Sequence, residues 1–478
     1  MSYRRSLVRG LGWLGSLQAL SAGVSQVAGI ALATLLGPSD FGLFGLAMIA
    51  IALVAIPGDL GLTVEVIRRD EVENILPTAI RLRWLIALFL TGFALIIASA
   101  FAFLFSMPSF LWLVAALSTI FPAAAFSFGS RAALTRALNF RSLAVADTAG
   151  RLIGPVSAVC FAVIGFGFWS LALGLLVSTW TSAFSVCLIM RVKTKKEFRL
   201  DIAKALVSSG KFVSIATVFG FLLVTADNAA VAGAFGIAAL GIYSFSYSLA
   251  VTVPRNASSL VETVLFPVFS RLNKDPERLG RGYAVTIRYV AYFLFPVAAA
   301  IAVLSPSFVS IILGARWSGT APVMQVLSVG GLAFALSVPA SSALLAMGEA
   351  RLVTKSNAYG ALALLIGLAG AIFYKAFLSV AVAAVAAALV YFCSLTRLVG
   401  RLVGVRWQEV ARVVSKPIFA SAMAAVGMST VLFVFPPGLV SLLIATVLGV
   451  VGYICILEAT SGGEFSASMK QISAMVIR

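Results

Sequence analysis

Residues 191–211 read RVKTKKEFRLDIAKALVSSGK, the longest polar interruption in a 478-residue chain otherwise built of apolar runs. Six runs long enough to cross a bilayer, at roughly 20 residues each, precede it, near 13–36, 42–64, 84–105, 110–130, 145–164 and 168–190. Six more follow, near 212–234, 238–268, 289–312, 321–346, 358–374 and 377–396, and a last pair lies at 417–435 and 438–457. The pattern predicts an all-α polytopic membrane protein of about 14 transmembrane helices. Its expected parts are an N-terminal six-helix bundle over 1–190, a basic linker over 191–211 that is partly an amphipathic interfacial helix, and a C-terminal six-helix bundle over 212–397. A second basic linker over 398–416, two further spans over 417–458 and a cytoplasmic tail over 459–478 complete it.

The cations fall in alternate gaps between the runs. With the amino terminus cytoplasmic, only Arg316 and Lys375 of the 35 Lys and Arg face outside, and Arg151 and Arg255 lie within spans. The remaining 31 sit on the inner side or at its edge, as the positive-inside rule requires. An even number of spans then places both termini in the cytoplasm.

A composition of 61% hydrophobic and 11% charged residues, with a mean hydropathy of +1.07, excludes a soluble globule. The net charge of +18 is spread over all the inner loops instead of one patch, so nucleic acid is not an expected partner. Histidine is absent, which removes Ser-His-Asp triads and histidine proton relays, and zinc chemistry of the usual kind. Cys160, Cys187, Cys393 and Cys455 all fall inside spans without a CxxC pair and read as small packing residues. The basic start and apolar run of the first 36 residues read as an uncleaved helix, and the sequon at Asn256 falls mid-span. Outer loops are short throughout, so no extramembrane domain is expected to hold an active site. Neither enzymatic activity nor a cofactor is expected.

The halves echo each other. Gly37-Pro38-Ser39-Asp40-Phe41-Gly42-Leu43-Phe44 recurs 199 residues on as Gly236-Ile237-Ala238-Ala239-Leu240-Gly241-Ile242-Tyr243. Arg141, Asp147 and Gly150 recur 210 residues on as Arg351, Asn357 and Gly360. Two six-span repeats that both start inside are expected to be related by an axis along the membrane normal, as in transporters.

Ionisable side chains at bilayer depth cost about 2.5–3.5 kcal/mol each even on the lenient insertion scale, so each needs a cavity or a partner. Asp147 and Arg151 have the acid-first spacing of an intrahelical ion pair in span 5. Arg255 follows Pro254, which removes a backbone hydrogen bond and can kink span 8. That places Arg255 either in an anion site or in a packing contact with Asp227 or Glu262. Asp227-Asn228 in span 7 and Asp59 in span 2 are candidates for an ion-coupling carboxylate. Arg316-Trp317 at the outer mouth reads as an interfacial anchor. Gln18, Ser21, Ser25 and Gln26 form a polar stripe on span 1 that is expected to face the bundle or a wet cleft.

Leu36 through Phe44, followed by Asp59-Leu60-Gly61-Leu62, resembles the opening of bacterial polysaccharide biosynthesis proteins of the oligosaccharide flippase type. These belong to the multidrug/oligosaccharidyl-lipid/polysaccharide exporter superfamily. Thr135 to Arg141, Gly165 to Leu171, Phe266 to Leu272 and Gly314 to Trp317 are similar too, in order and spacing, over about three-quarters of the chain. The likeness is greatest to members that export acidic exopolysaccharide units such as those of colanic acid or succinoglycan. The resemblance implies two six-helix bundles in a V with a cationic central cavity, in the bacterial inner membrane. It implies a flippase for a polyprenyl-pyrophosphate-linked oligosaccharide, with membrane lipid and the polysaccharide polymerase and export machinery as expected partners; a proton or sodium gradient is a further expected partner, on the ground of the carboxylates within spans. The competing reading is a cation-coupled drug or small-molecule antiporter of the same superfamily. On the flippase reading Arg255 and Arg151 meet the pyrophosphate, while Asp227, Asn228, Glu262, Asp59 and Asp147 supply ion coupling or a cavity ion pair.

Overall fold

The structure is a computed structural model that describes residues 2–55, 62, 66, 72–104, 107–137, 139–192, 198–204, 225–273, 275–463 and 465–466, some of them, Glu262 included, by backbone alone. Among these residues there is no strand. The chain runs through α1 (Ser2–Leu35), α2 (Pro38–Ala55), α3 (Val72–Leu104), α4 (Pro108–Ser118), α5 (Ile120–Arg136), α6 (Phe140–Ile164) and α7 (Trp169–Ile189). After α8 (residues 225–235) come α9 (Ile237–Tyr247), α10 (Val253–Leu272), α11 (Pro276–Phe308), α12 (Thr320–Ala346) and α13 (Ala350–Phe373). The last three are α14 (Phe377–Val403), α15 (Trp407–Val434) and α16 (Leu439–Ser461).

Twelve helices among the described residues are long and apolar enough to span a membrane, α4 with α5 counting as one, and each coincides with a predicted span. Of the other two predicted spans, 13–36 is represented by the apolar segment Leu20–Leu35 of α1, and residues 212–224 of the second lie outside the described residues. Several spans begin well before their apolar runs: the runs at 84–105, 289–312 and 417–435 belong to helices starting at Val72, Pro276 and Trp407. An apolar count registers only the part of a helix in the hydrocarbon. Arg and Lys are good helix formers whose stems reach back along the helix, so they carry it onward into the headgroup layer. Arg83, Arg131, Arg288 and Lys416 therefore stand on spanning helices and not in loops.

The chain forms two compact units. The first comprises Trp13–Ala232 with Gly236–Gly241, so residues 225–232 of the seventh predicted span group with the helices before it. Its largest core joins Leu43, Ala47 and Ile51 of α2 to Leu90 and Ala94 of α3 and Leu113 of α4. Within this unit the first turns of α2 and α9 cross. A Cβ on Gly42 would stand 1.8 Å from the Ile237 carbonyl oxygen, and one on Gly241 would stand 1.8 Å from the Pro38 carbonyl oxygen. Gly42 and Gly241 are repeat counterparts, and so are Pro38 and Ile237, each pair 199 residues apart. The contact is therefore reciprocal, the signature of a local two-fold relation between the repeated segments.

The second unit comprises Ile242–Arg478 with Met1–Gly12 and Gly233–Phe235. Tyr283 and Ile287 of α11 meet Ala340 and Leu344 of α12 and Leu395 and Val399 of α14 in one of its cores. The final pair α15–α16 attaches to α11 through Tyr292, Ala420, Tyr453 and Leu457, with the Tyr453 hydroxyl donating 2.7 Å to the Tyr292 carbonyl. Tyr453→Phe leaves that buried carbonyl without the bond. It should cost about 1 kcal/mol, read as a lower midpoint of SDS-driven unfolding in mixed micelles. Trp317 is no interfacial anchor: it is fully buried and packs on Phe245 at 4.9 Å between ring centroids. Of the cysteines, Cys160, Cys393 and Cys455 are exposed free thiols, and Cys187 is half-buried against Ser130.

Candidate functional site

In the second unit the polar feature at membrane depth is Arg255, and its placement begins with Pro254. A proline inside a helix lacks the N–H and its ring collides with the carbonyl four residues earlier, here that of Ala250. The chain relieves this by opening a π turn over Ser248–Thr252, directly before α10. The widened turn pushes its backbone toward α12, and Gly331 receives it: a Cβ there would stand 2.2 Å from the Ala250 carbonyl oxygen. Arg255 follows at once, and its guanidinium lies 5.0 Å over the ring of Phe334, which itself stacks on Tyr391 at 6.0 Å. Such stacking favours an arginine by about 0.5–2 kcal/mol while leaving its N–H fork open to an anion. Among the described residues no carboxylate lies within ion-pair range of Arg255. The Glu262 side chain lies outside the described residues.

In the first unit the polar centre is built on a close helix pair. Gly150, Gly154 and Ala158 recur every four residues on α6, and Gly174, Ser178 and Ser182 do so on α7. Cβ atoms added at Gly150, Gly154 and Gly174 would stand 2.4 Å from the Ser178 carbonyl oxygen, the Ser178 Cβ and the Ala158 Cβ respectively. Small residues at this spacing let the two backbones approach, and the approach carries Ser182 to Asp147. Arg131 reaches the same carboxylate from α5. Its Nη2 donates 2.6 Å to Asp147 Oδ1 and 2.7 Å to Ser182 Oγ, its Nη1 donates 3.4 Å to Oδ2, and Ser182 Oγ donates 2.6 Å to Oδ1. Three helices are thus pinned by one ionic network, with Arg131 and Asp147 37% and 41% exposed.

The expected Asp147–Arg151 pair is not formed. The flexible Arg151 side chain would meet Asp147 as a point contact along one helix, whereas Arg131 arrives from the facing helix with its planar fork aimed at both oxygens. Arg151 is exposed, and no carboxylate among the described residues lies in ion-pair range of it. Asp227 is buried at 2% exposure, and its Oδ1 accepts from the Asn228 backbone N–H at 2.8 Å and the Asn228 side chain at 3.1 Å. Asp59 lies outside the described residues. In the span 1 stripe, Ser21 and Ser25 donate to the carbonyls of Gln18 and Ser21 of their own helix. Sequence reasoning missed Arg131 and Ser182. Arg131 was assigned to an inner loop, and the four-residue repeat of small residues is the signal that would have paired α6 with α7.

Among known proteins, residues 31–322 match the family described as "Polysaccharide biosynthesis protein", well over half of the chain. The chain belongs to that family. Among its curated relatives is the lipopolysaccharide biosynthesis protein WzxC of Escherichia coli (strain K12), 24% identical over 368 residues that cover 75% of this chain and 74% of the relative. A second is the succinoglycan biosynthesis transport protein ExoT of Rhizobium meliloti (strain 1021), 24% identical over 326 residues, 68% of this chain and 66% of that one. Among solved structures, the lipid II flippase MurJ in an inward closed conformation superposes with a TM-score of 0.75 at 15% identity, over 93% of this chain and 98% of that chain. A multidrug resistance MATE family transporter in an inward-facing conformation gives a TM-score of 0.64 at 16% identity, over 80% and 95%. The chain thus shares its fold with these two transporters. At these identities the superpositions speak for fold alone.

Proposed function

We propose that the protein is a flippase, not an enzyme. It moves a polyprenyl-pyrophosphate-linked oligosaccharide across the bacterial inner membrane by alternating access, with both termini cytoplasmic and the polysaccharide polymerase and export machinery downstream. The oligosaccharide is the repeat unit of an exopolysaccharide, O-antigen or capsule. The two relatives, one named for lipopolysaccharide biosynthesis and one for succinoglycan transport, support this substrate class. One observation carries the reading at residue level: the guanidinium of Arg255, on a segment long and apolar enough to span a membrane, is seated on Phe334 at 5.0 Å. A pyrophosphate is the group that such a fork takes in two-pronged fashion. Arg151 is the second proposed contact, and Asp227 with Asn228 the proposed site of proton or sodium coupling. The six-span repeats over 1–190 and 212–397 remain our proposed division of the transport machinery. A cation-coupled drug antiporter is expected to present a predominantly acidic cleft to its substrate, and Arg255 and Arg151 speak against it.

In a strain deleted for the gene, lipid-linked repeat units should accumulate in the cytoplasmic leaflet, and the intact gene should restore export. Arg255→Ala should reduce export at least tenfold, about 1.4 kcal/mol or more of lost interaction. Arg255→Lys should recover part of it by keeping the charge without the stacked fork. Export by Arg255→Ala at the parental rate, with equal protein in the membrane, would remove Arg255 from the pathway.

A further inference from the structure

Where α7 ends, at Ile189, a groove of about 360 Å³ lies between α5 and α7 of the first unit, lined by Phe126, Ser130, Phe184, Cys187, Leu188 and Arg191 among others. Its wall is aromatic. The rings of Phe126 and Phe184 stand 5.2 Å apart, and Trp180 backs both at 6.2 Å and 5.5 Å. Phe126, Phe184 and Leu188 are 38%, 51% and 70% exposed, so this apolar wall faces outward along a spanning helix. At the rim stands exposed Arg191, with no carboxylate in the lining and none in ion-pair range among the described residues. Basic residues at that level attract anionic lipid. Phe184 stands five residues, about 8 Å, before the helix end, so an apolar chain on the wall and a phosphate at Arg191 fall at the depths a phospholipid offers. This groove shares no residue with the contacts of Arg255 and does not depend on the flippase reading.

We propose that the groove binds one anionic phospholipid of the surrounding membrane, with an acyl chain across Phe126 and Phe184 and the phosphate on Arg191. The test is native mass spectrometry of the full chain released from nanodiscs that contain phosphatidylglycerol and phosphatidylcholine. The parent should retain one phosphatidylglycerol in preference to phosphatidylcholine, and Arg191→Gln and Phe184→Ala should each reduce that retention about tenfold or more. As an independent reading, maleimide labelling of Cys187, with the other three cysteines replaced by alanine, should slow in phosphatidylglycerol relative to phosphatidylcholine. Both substituted side chains are exposed, so the variants are expected to fold, which a monodisperse elution profile checks. Equal retention of the two lipids, or full retention by Arg191→Gln, would overturn the proposal. Displacement by inorganic phosphate would assign Arg191 to a soluble anion, and preference for a polyprenyl phosphate would assign the groove to the transported lipid; either result also rejects a membrane phospholipid.

Discussion

Gly42→Ala and Gly241→Ala are each expected to destabilise the protein by about 3 kcal/mol or more, at the upper end of what overpacking costs. In most helix interiors the same exchange stabilises by up to about 1 kcal/mol, because alanine loses less freedom on folding. The sign reverses here because the added methyl would sit 1.8 Å from a backbone carbonyl oxygen in both cases. A flexible side chain could turn away; the first turns of two helices cannot. Gly92→Ala and Gly427→Ala are the controls, since nothing lies within 4 Å of a Cβ at either position. The readout is the unfolding midpoint in mixed micelles together with the yield of monodisperse protein. The reciprocal geometry adds a stricter demand, that the two substitutions be similar in size. If Gly42→Ala and Gly92→Ala unfold at the same midpoint, the crossing is looser than described. If only one of the pair is damaging, the two segments do not share a two-fold relation.

That crossing shows how the sequence carries information it does not label. The repeat of Gly37–Phe44 at Gly236–Tyr243 was visible as an echo 199 residues apart, but nothing in one dimension indicated that the two copies touch each other. The spans were legible because about 20 consecutive apolar residues have few other fates, and their helical starts were not, because arginine and lysine continue a helix as well as they leave one. This misplaced Arg131. Counted by position it explained orientation; placed on α5 it holds Asp147 and Ser182. Arg255 was legible for the opposite reason, as a cation with no topological purpose beside a proline. Its aromatic seat was not, since Phe334 lies 79 residues away and one phenylalanine among 35 carries no mark.

The network around Arg131 gives the second large expected effect. Arg131→Ala should destabilise the first unit by about 1–3 kcal/mol. It leaves the Asp147 carboxylate at membrane depth with Ser182 as its remaining side-chain partner, and the figure is held below the 3–5 kcal/mol of a fully buried broken pair because both groups are partly exposed. Asp147→Ala should cost a similar amount by stranding Arg131. The double variant should cost less than the sum of the two by about 1–2 kcal/mol, since it removes both charges together. Arg131→Lys should fall between, because an ammonium cannot bridge Asp147 and Ser182 with a fixed fork. The same cycle run on Arg151 and Asp147 separates the alternatives: the four-residue spacing alone would make that pair the more strongly coupled one, whereas the observed contacts predict a smaller coupling than that to Arg131. Unfolding midpoints of the seven proteins decide it. A larger coupling of Asp147 to Arg151 than to Arg131 would return the carboxylate to its own helix and leave α5 pinned by packing alone.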